Sequence, residues 1–209
     1  MIGVKMIRKL DTALVLIVTI VLFGCAQPQP LPKDNYYRFG FEQSQVHISQ
    51  STEPKLNGIV EIDRFSADGL VAGRSIVYSE SNKPNQLMEY NYHFWTEPPT
   101  ILLRDQLITH LRAAGIAKTV VTAEMRVAPD FVISGKIKRF EQVRDASPHF
   151  ILEMELGLRH GGTDTLIHWG TYRKKVAAEG ATVANGVKAA KIALSEVYAE
   201  YIRDLKNSP

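Results

Sequence analysis

The chain has 209 residues, a formal net charge of +3, 45% apolar residues and one cysteine, Cys25. That length and apolar content suffice for one hydrophobic core, and a lone cysteine excludes an intramolecular disulfide framework. Without residues 1–24, 22 basic face 21 acidic residues and no basic stripe remains to grip nucleic acid.

Lys5, Arg8 and Lys9 precede an uncharged run from Thr12 to Phe23, and Gly24-Cys25-Ala26 follows. A basic start, a short apolar core and a small residue before the cut describe a secretory signal peptide. The apolar run is twelve residues long, well short of the roughly 20 that cross a bilayer. The segment resembles a bacterial lipobox, which implies cleavage behind Gly24 and acylation of Cys25. One acyl chain binds a membrane only marginally at ~0.8 kcal/mol per methylene, whereas two or three hold permanently. Ala26 stands where an aspartate would resemble an inner-membrane retention signal, and so favours the periplasmic face of the outer membrane.

Pro28, Pro30 and Pro32 alternate through residues 26–35. Such a segment favours the polyproline conformation, and at ~3.1 Å per residue it reaches roughly 30 Å. Three parts are therefore expected: a signal peptide over 1–24, the lipidated Cys25 with its tether over 25–35, and one domain over 36–209.

Strands are expected at Tyr36 to Phe39, Gly58 to Phe65, Ser75 to Ser79 and, after a polar turn from Glu80 to Gln86, Leu87 to Trp95. The last alternates, with Met88, Tyr90, Tyr92 and Phe94 on one face. Pro98-Pro99 opens a helix carrying Leu103, Leu107 and Leu111 on one side, and Gly115 ends it. Lys118 to Thr122, Phe131 to Val143, Phe150 to Arg159 and Leu166 to Ala177 are the remaining strands, with a hairpin turn at His160 to Asp164. A final helix runs from Val183 or Val187 to Lys206, with Val187, Ala190, Leu194, Val197, Tyr198, Tyr201 and Leu205 in one stripe and Ile192 opposite. This order implies one α/β domain: a mixed, largely antiparallel sheet with two amphipathic helices packed on it.

No catalytic constellation stands out. HExxH, a nucleophile elbow and a phosphate-cradling glycine loop are all missing, and Cys25 is committed to the lipid. The six histidines lack metal-ligand spacing, and His93 and His168, within strands, are expected to be hydrogen-bonded structural residues. Glu153 and Glu155 share a strand face and are expected to face solvent. No catalytic residue, metal or cofactor is therefore expected. Tyr78, Tyr90, Tyr92 and Trp95 can line a lipid or partner surface, or else pack as core.

Between Arg64 and Gly115 stand Arg64-Phe65, Arg74 with Ile76-Val77-Tyr78, Tyr90-x-Tyr92-x-x-Trp95 and Pro98-Pro99 before a leucine-rich helix. On these residues rests a resemblance to the PqiC (YmbA-like) family of ABC-type and MCE transport auxiliary lipoproteins. Tyr36-Tyr37, Asp130 to Gly135 (DFVISG) and Trp169 extend it. It implies a non-enzymatic outer-membrane lipoprotein that works with an MCE-domain protein spanning the periplasm and with inner-membrane permease components, and that forms a homo-oligomeric ring. The residues leave a second function open, a stand-alone envelope lipoprotein that binds glycan or lipopolysaccharide, and a third, an uncharacterised hydrolase.

Overall fold

The computed structural model describes residues 31–40 and 54–208; the leader, Cys25 and the tether as far as Pro30 lie outside them. The chain divides between Lys33 and Asp34, and the strands and helices below belong to the unit Asp34–Pro209. In chain order they are β1 (Asn35–Tyr37), β2 (Leu56–Ile62), β3 (Ser66–Ala67), β4 (Ser75–Glu80), β5 (Lys83–Trp95) and α1 (Pro99–Ala113). Then follow β6 (Ala117–Thr122), β7 (Phe131–Arg144), β8 (His149–His160), β9 (Leu166–Ala177) and α2 (Val183–Asn207).

The spine of the sheet is β7. Along one edge it pairs antiparallel with β8, from Phe131↔His160 to Val143↔His149, and β9 continues that meander. The other edge is shared by three parallel partners: β2 at Val60↔Phe131, β3 at Ser66↔Lys136 and β4 at Tyr78↔Gln142. Beyond these, β6 extends β2 in parallel, β5 extends β4 antiparallel, and β1 adds to β5 in parallel. The result is one mixed sheet in a single α/β domain. Its longest ladders are antiparallel, although most of the shorter ones are parallel.

One face of the sheet is apolar because cross-strand partners match: Ile133 opposes Leu158, Ile137 opposes Met154, and Phe140 opposes Leu152. Onto it pack Leu103, Leu107 and Leu111 of α1 and Ala190, Leu194, Val197 and Tyr201 of α2. Each fully buried leucine or valine contributes ~1.5–3 kcal/mol. The Tyr198 hydroxyl donates to the Leu103 carbonyl at 2.7 Å and ties the two helices together. Pro99 occupies the first turn of α1, and Gly115 takes a φ of +59° just past its end, as the sequence indicates. Ile192 is half exposed on the outer side of α2.

Several expectations change. The polar turn Glu80 to Gln86 shrinks to Ser81-Asn82, because Glu80 already pairs with Lys83 and Pro84 lies within β5. The alternation of Leu87 to Trp95 is broken by a bulge: β5 advances from Glu89 to Phe94 while β4 moves only from Val77 to Ser75. The segment between the expected strands Gly58 to Phe65 and Ser75 to Ser79 contains the two-residue β3, so five strands rather than four precede α1. Of the two helix starts, Val183 is the one formed, with Thr182 as N-cap accepting from the Asn185 N–H.

Candidate functional site

The bulge in β5 decides where the four candidate aromatics go. Tyr78 on β4 and Tyr90 on β5 stack with centroids 4.4 Å apart. Parallel pairing of β4 with the end of β7 brings Arg144 beside them, its guanidinium 4.9 Å from the Tyr78 centroid and 6.0 Å from that of Tyr90. A cation over aromatic faces contributes ~0.5–1 kcal/mol at exposed sites. The Tyr90 hydroxyl donates to Gln142 Oε1 at 3.1 Å, and burial pushes its pKa upward. Gln142 is fully buried and donates through Nε2 to the carbonyls of Ala181 and Thr182, at 3.3 and 3.2 Å. The tyrosine stack is thereby pinned to the start of α2.

His93 also turns toward Tyr90, edge to face at 5.6 Å, and its Nδ1 meets the Tyr37 hydroxyl at 2.9 Å. Tyr92 points outward and is 40% exposed. Trp95 is 1% exposed and packs between Phe39 and Phe140, so it is core rather than surface. Tyr78 and Tyr90 thus form a half-buried pair under the exposed Arg144, with Tyr92 further along the strand. Beside the stack lies an open hollow of ≈ 390 Å³ lined by Glu80, Ser81, Asn82, Arg144 and Asp145. A hydrogen bond from Ser81 lowers the pKa of Asp145. This arrangement can hold a flat or apolar group against the rings and an anion at Arg144. Arg144 and Gln142 escape sequence reasoning because both lie at the end of a strand read only for its apolar alternation.

Several of the residues that carry the family resemblance are joints of the fold. Phe65 packs on Gly135, where an added Cβ would lie 2.8 Å from its ring. Asp130 Oδ2 accepts from the Ile59 N–H at 2.7 Å, and a Cβ at Gly58 would fall within 2.4 Å of that oxygen. Arg74 exchanges backbone and side-chain bonds with Trp95, at 2.7 and 3.2 Å, and lies 5.6 Å from the Tyr36 ring centroid.

Among the described residues no group of three or more His, Cys, Asp or Glu is arranged to hold a metal ion. His168 Nε2 meets the Tyr172 hydroxyl at 2.8 Å, and both His110 and His149 bond nearby carbonyls. Glu153 and Glu155 are half-buried rather than fully solvated, paired with Arg173 at 3.6 Å and Lys138 at 3.5 Å. No helix among these residues is long and apolar enough to cross a membrane.

The fold is shared with solved structures. A Xanthomonas campestris protein matches with a TM-score of 0.63 at 19% identity, over 71% of this chain and 84% of that one. An uncharacterized protein matches with a TM-score of 0.64 at 16% identity, over 83% and 99% of the two chains. The comparison with curated proteins found no match. A sequence model described as ABC-type transport auxiliary lipoprotein component matches residues 39–201, and the chain belongs to that family.

Proposed function

We propose that this lipoprotein is the outer-membrane subunit of an intermembrane lipid transport system. Acylated Cys25 holds it on the periplasmic face, where it receives an MCE-domain protein that spans the periplasm from an inner-membrane permease. One observation carries the proposal: a transport-auxiliary domain over residues 39–201 follows directly on a leader, a single cysteine and an alternating-proline tether. A module tethered over roughly 30 Å stays at high effective concentration for any partner reaching the same membrane. Its role is non-catalytic, a reading supported by the bonds that His93, His110, His149 and His168 make to neighbouring groups. The half-buried Tyr78 and Tyr90 under exposed Arg144, together with exposed Tyr92, supply the partner or lipid contact. Self-association into a ring would draw on exposed Ile192 and on the sheet edges β1, β6 and β9, unpaired on their outer side among the described residues; light scattering showing a concentration-independent monomer would count against it.

Genetic epistasis tests the role. Deleting this gene, the gene for the MCE-domain protein, or both should give the same loss of envelope integrity in a detergent-sensitivity assay. A double deletion markedly worse than either single one would place them in separate processes.

A further inference from the structure

The outer face of the meander, away from the helices, carries an open cleft of ≈ 240 Å³ lined by Arg64, Ser134, Lys136, Glu155, Gly157 and Trp169. Strand register explains its shape. Ser134, Gly157 and Trp169 are cross-strand neighbours on β7, β8 and β9, and Lys136 and Glu155 form the adjacent row. Trp169 is 58% exposed and forms one wall. Singly exposed apolar side chains are ordinary on protein surfaces, but two further features single this one out.

The first is the floor. Gly157 lies in the interior of β8, where glycine weakens a strand. Its backbone is not among those of left-handed φ. A Cβ there would meet Ser134 Oγ at 3.6 Å, the His168 carbonyl at 3.7 Å and Trp169 Cδ1 at 3.8 Å, all ordinary contacts. Neither backbone nor packing demands a glycine, and its effect is to leave the floor open beside the indole. The second feature is charge. Lys136 is paired with Asp68 at 2.7 Å and Lys138 with Glu155 at 3.5 Å. Among the described residues no carboxylate lies within ion-pair distance of the Arg64 guanidinium, so the cleft holds one cation in excess.

We infer that this cleft binds an acidic sugar. The indole takes the C–H face of a pyranose ring laid over Gly157. Ser134 and Glu155 bond its hydroxyls, and Arg64 takes its carboxylate or phosphate, a charge-assisted pairing suited to guanidinium. An anionic sugar at the bacterial surface has two sources, peptidoglycan and lipopolysaccharide, which share this chemistry.

Calorimetric titration of the full lipoprotein in detergent tests the inference. The probes are the muramic-acid disaccharide of peptidoglycan, a phosphorylated lipopolysaccharide core oligosaccharide, and uncharged chitobiose. Saturable binding of one acidic probe, at least tenfold tighter than chitobiose, is expected and identifies the source. Trp169→Ala and Arg64→Gln should each weaken it at least tenfold. Gly157→Ala should weaken it several-fold while holding or raising the thermal midpoint, since it fills the floor and relieves a strand glycine. Binding of neither acidic probe, equal binding of chitobiose, or unchanged affinity in Arg64→Gln and Gly157→Ala would each overturn it.

Discussion

Tyr198 and Tyr201, three residues apart on α2, are both fully buried, and burial drives both phenols well above their ordinary pKa. Their hydroxyls differ. That of Tyr198 donates to the Leu103 carbonyl at 2.7 Å, whereas that of Tyr201 has no hydrogen-bond partner among the described residues. A net hydrogen bond contributes ~1 kcal/mol, and an orphaned buried group costs ~1–3 kcal/mol. Tyr198→Phe should therefore destabilise the domain by ~1 kcal/mol in urea titration, and Tyr201→Phe should be neutral or stabilising. Glu124 offers a pH test. The Thr122 hydroxyl, its own N–H and Arg104 hold its pKa at about 2 against an ordinary 4.5. Because the folded value lies below the unfolded one, ionised Glu124 stabilises the fold above pH ~4.5, and that gain disappears as pH falls toward ~2. The stability gap between the native protein and Glu124→Gln should narrow over that window; a gap independent of pH would contradict the assignment.

The junction of β5, β7 and α2 depends on Gln142, which accepts from Tyr90 and donates to the two carbonyls that open α2. Gln142→Leu would orphan these partners and should cost about 3 kcal/mol. Gly186 is coupled to the same point. A helix glycine replaced by alanine ordinarily gains ~1 kcal/mol, but here the new Cβ would lie 2.8 Å from the pinned Gln142 carboxamide. Gly186→Ala should instead destabilise, and a rise in the urea midpoint would show that the carboxamide yields. This contact also explains why Asn185-Gly186 blurs the helix start in the sequence: the glycine answers to a partner on β7. Apolar alternation along β7 and β8 and the apolar stripes of both helices made these elements legible, and the hairpin turn after β8 placed β9. The β5 bulge was not legible. Nothing in Tyr90 to His93 signals extra residues, which appear only when β4 is laid alongside; of the two readings left open for these aromatics, surface or core, each applies to some of them. Trp95 is core because the Phe39–Trp95–Phe140 packing needs it there.

For the molecule as a whole, the proposed address rests on the leader, Cys25 and tether read from the sequence, while the domain over residues 39–201 belongs to the ABC-type transport auxiliary lipoprotein family. The sequence carried the family partly through structural joints: Phe65 on Gly135, Asp130 on Ile59, Arg74 on Trp95. Its motif residues Tyr78, Tyr90, Arg64 and Trp169 also reach the outward-facing stack and cleft, but their neighbours there, Arg144 at the end of β7 and Ser134 and Gly157 on the meander, are set by strand pairing that no local pattern spells out. Anchor and fold should separate cleanly. Cys25→Ala, lying outside the domain, should leave the thermal midpoint unchanged yet release the protein from membranes in a sedimentation assay; continued membrane attachment would contradict acylation there. The proposed role as a transport subunit is tested most directly by affinity purification of the full lipoprotein from cross-linked, detergent-solubilised envelopes, followed by mass spectrometry. Recovery of an MCE-domain protein with its inner-membrane permease, lost in Cys25→Ala, is the expected result, and recovery of neither from the wild-type envelope would contradict it.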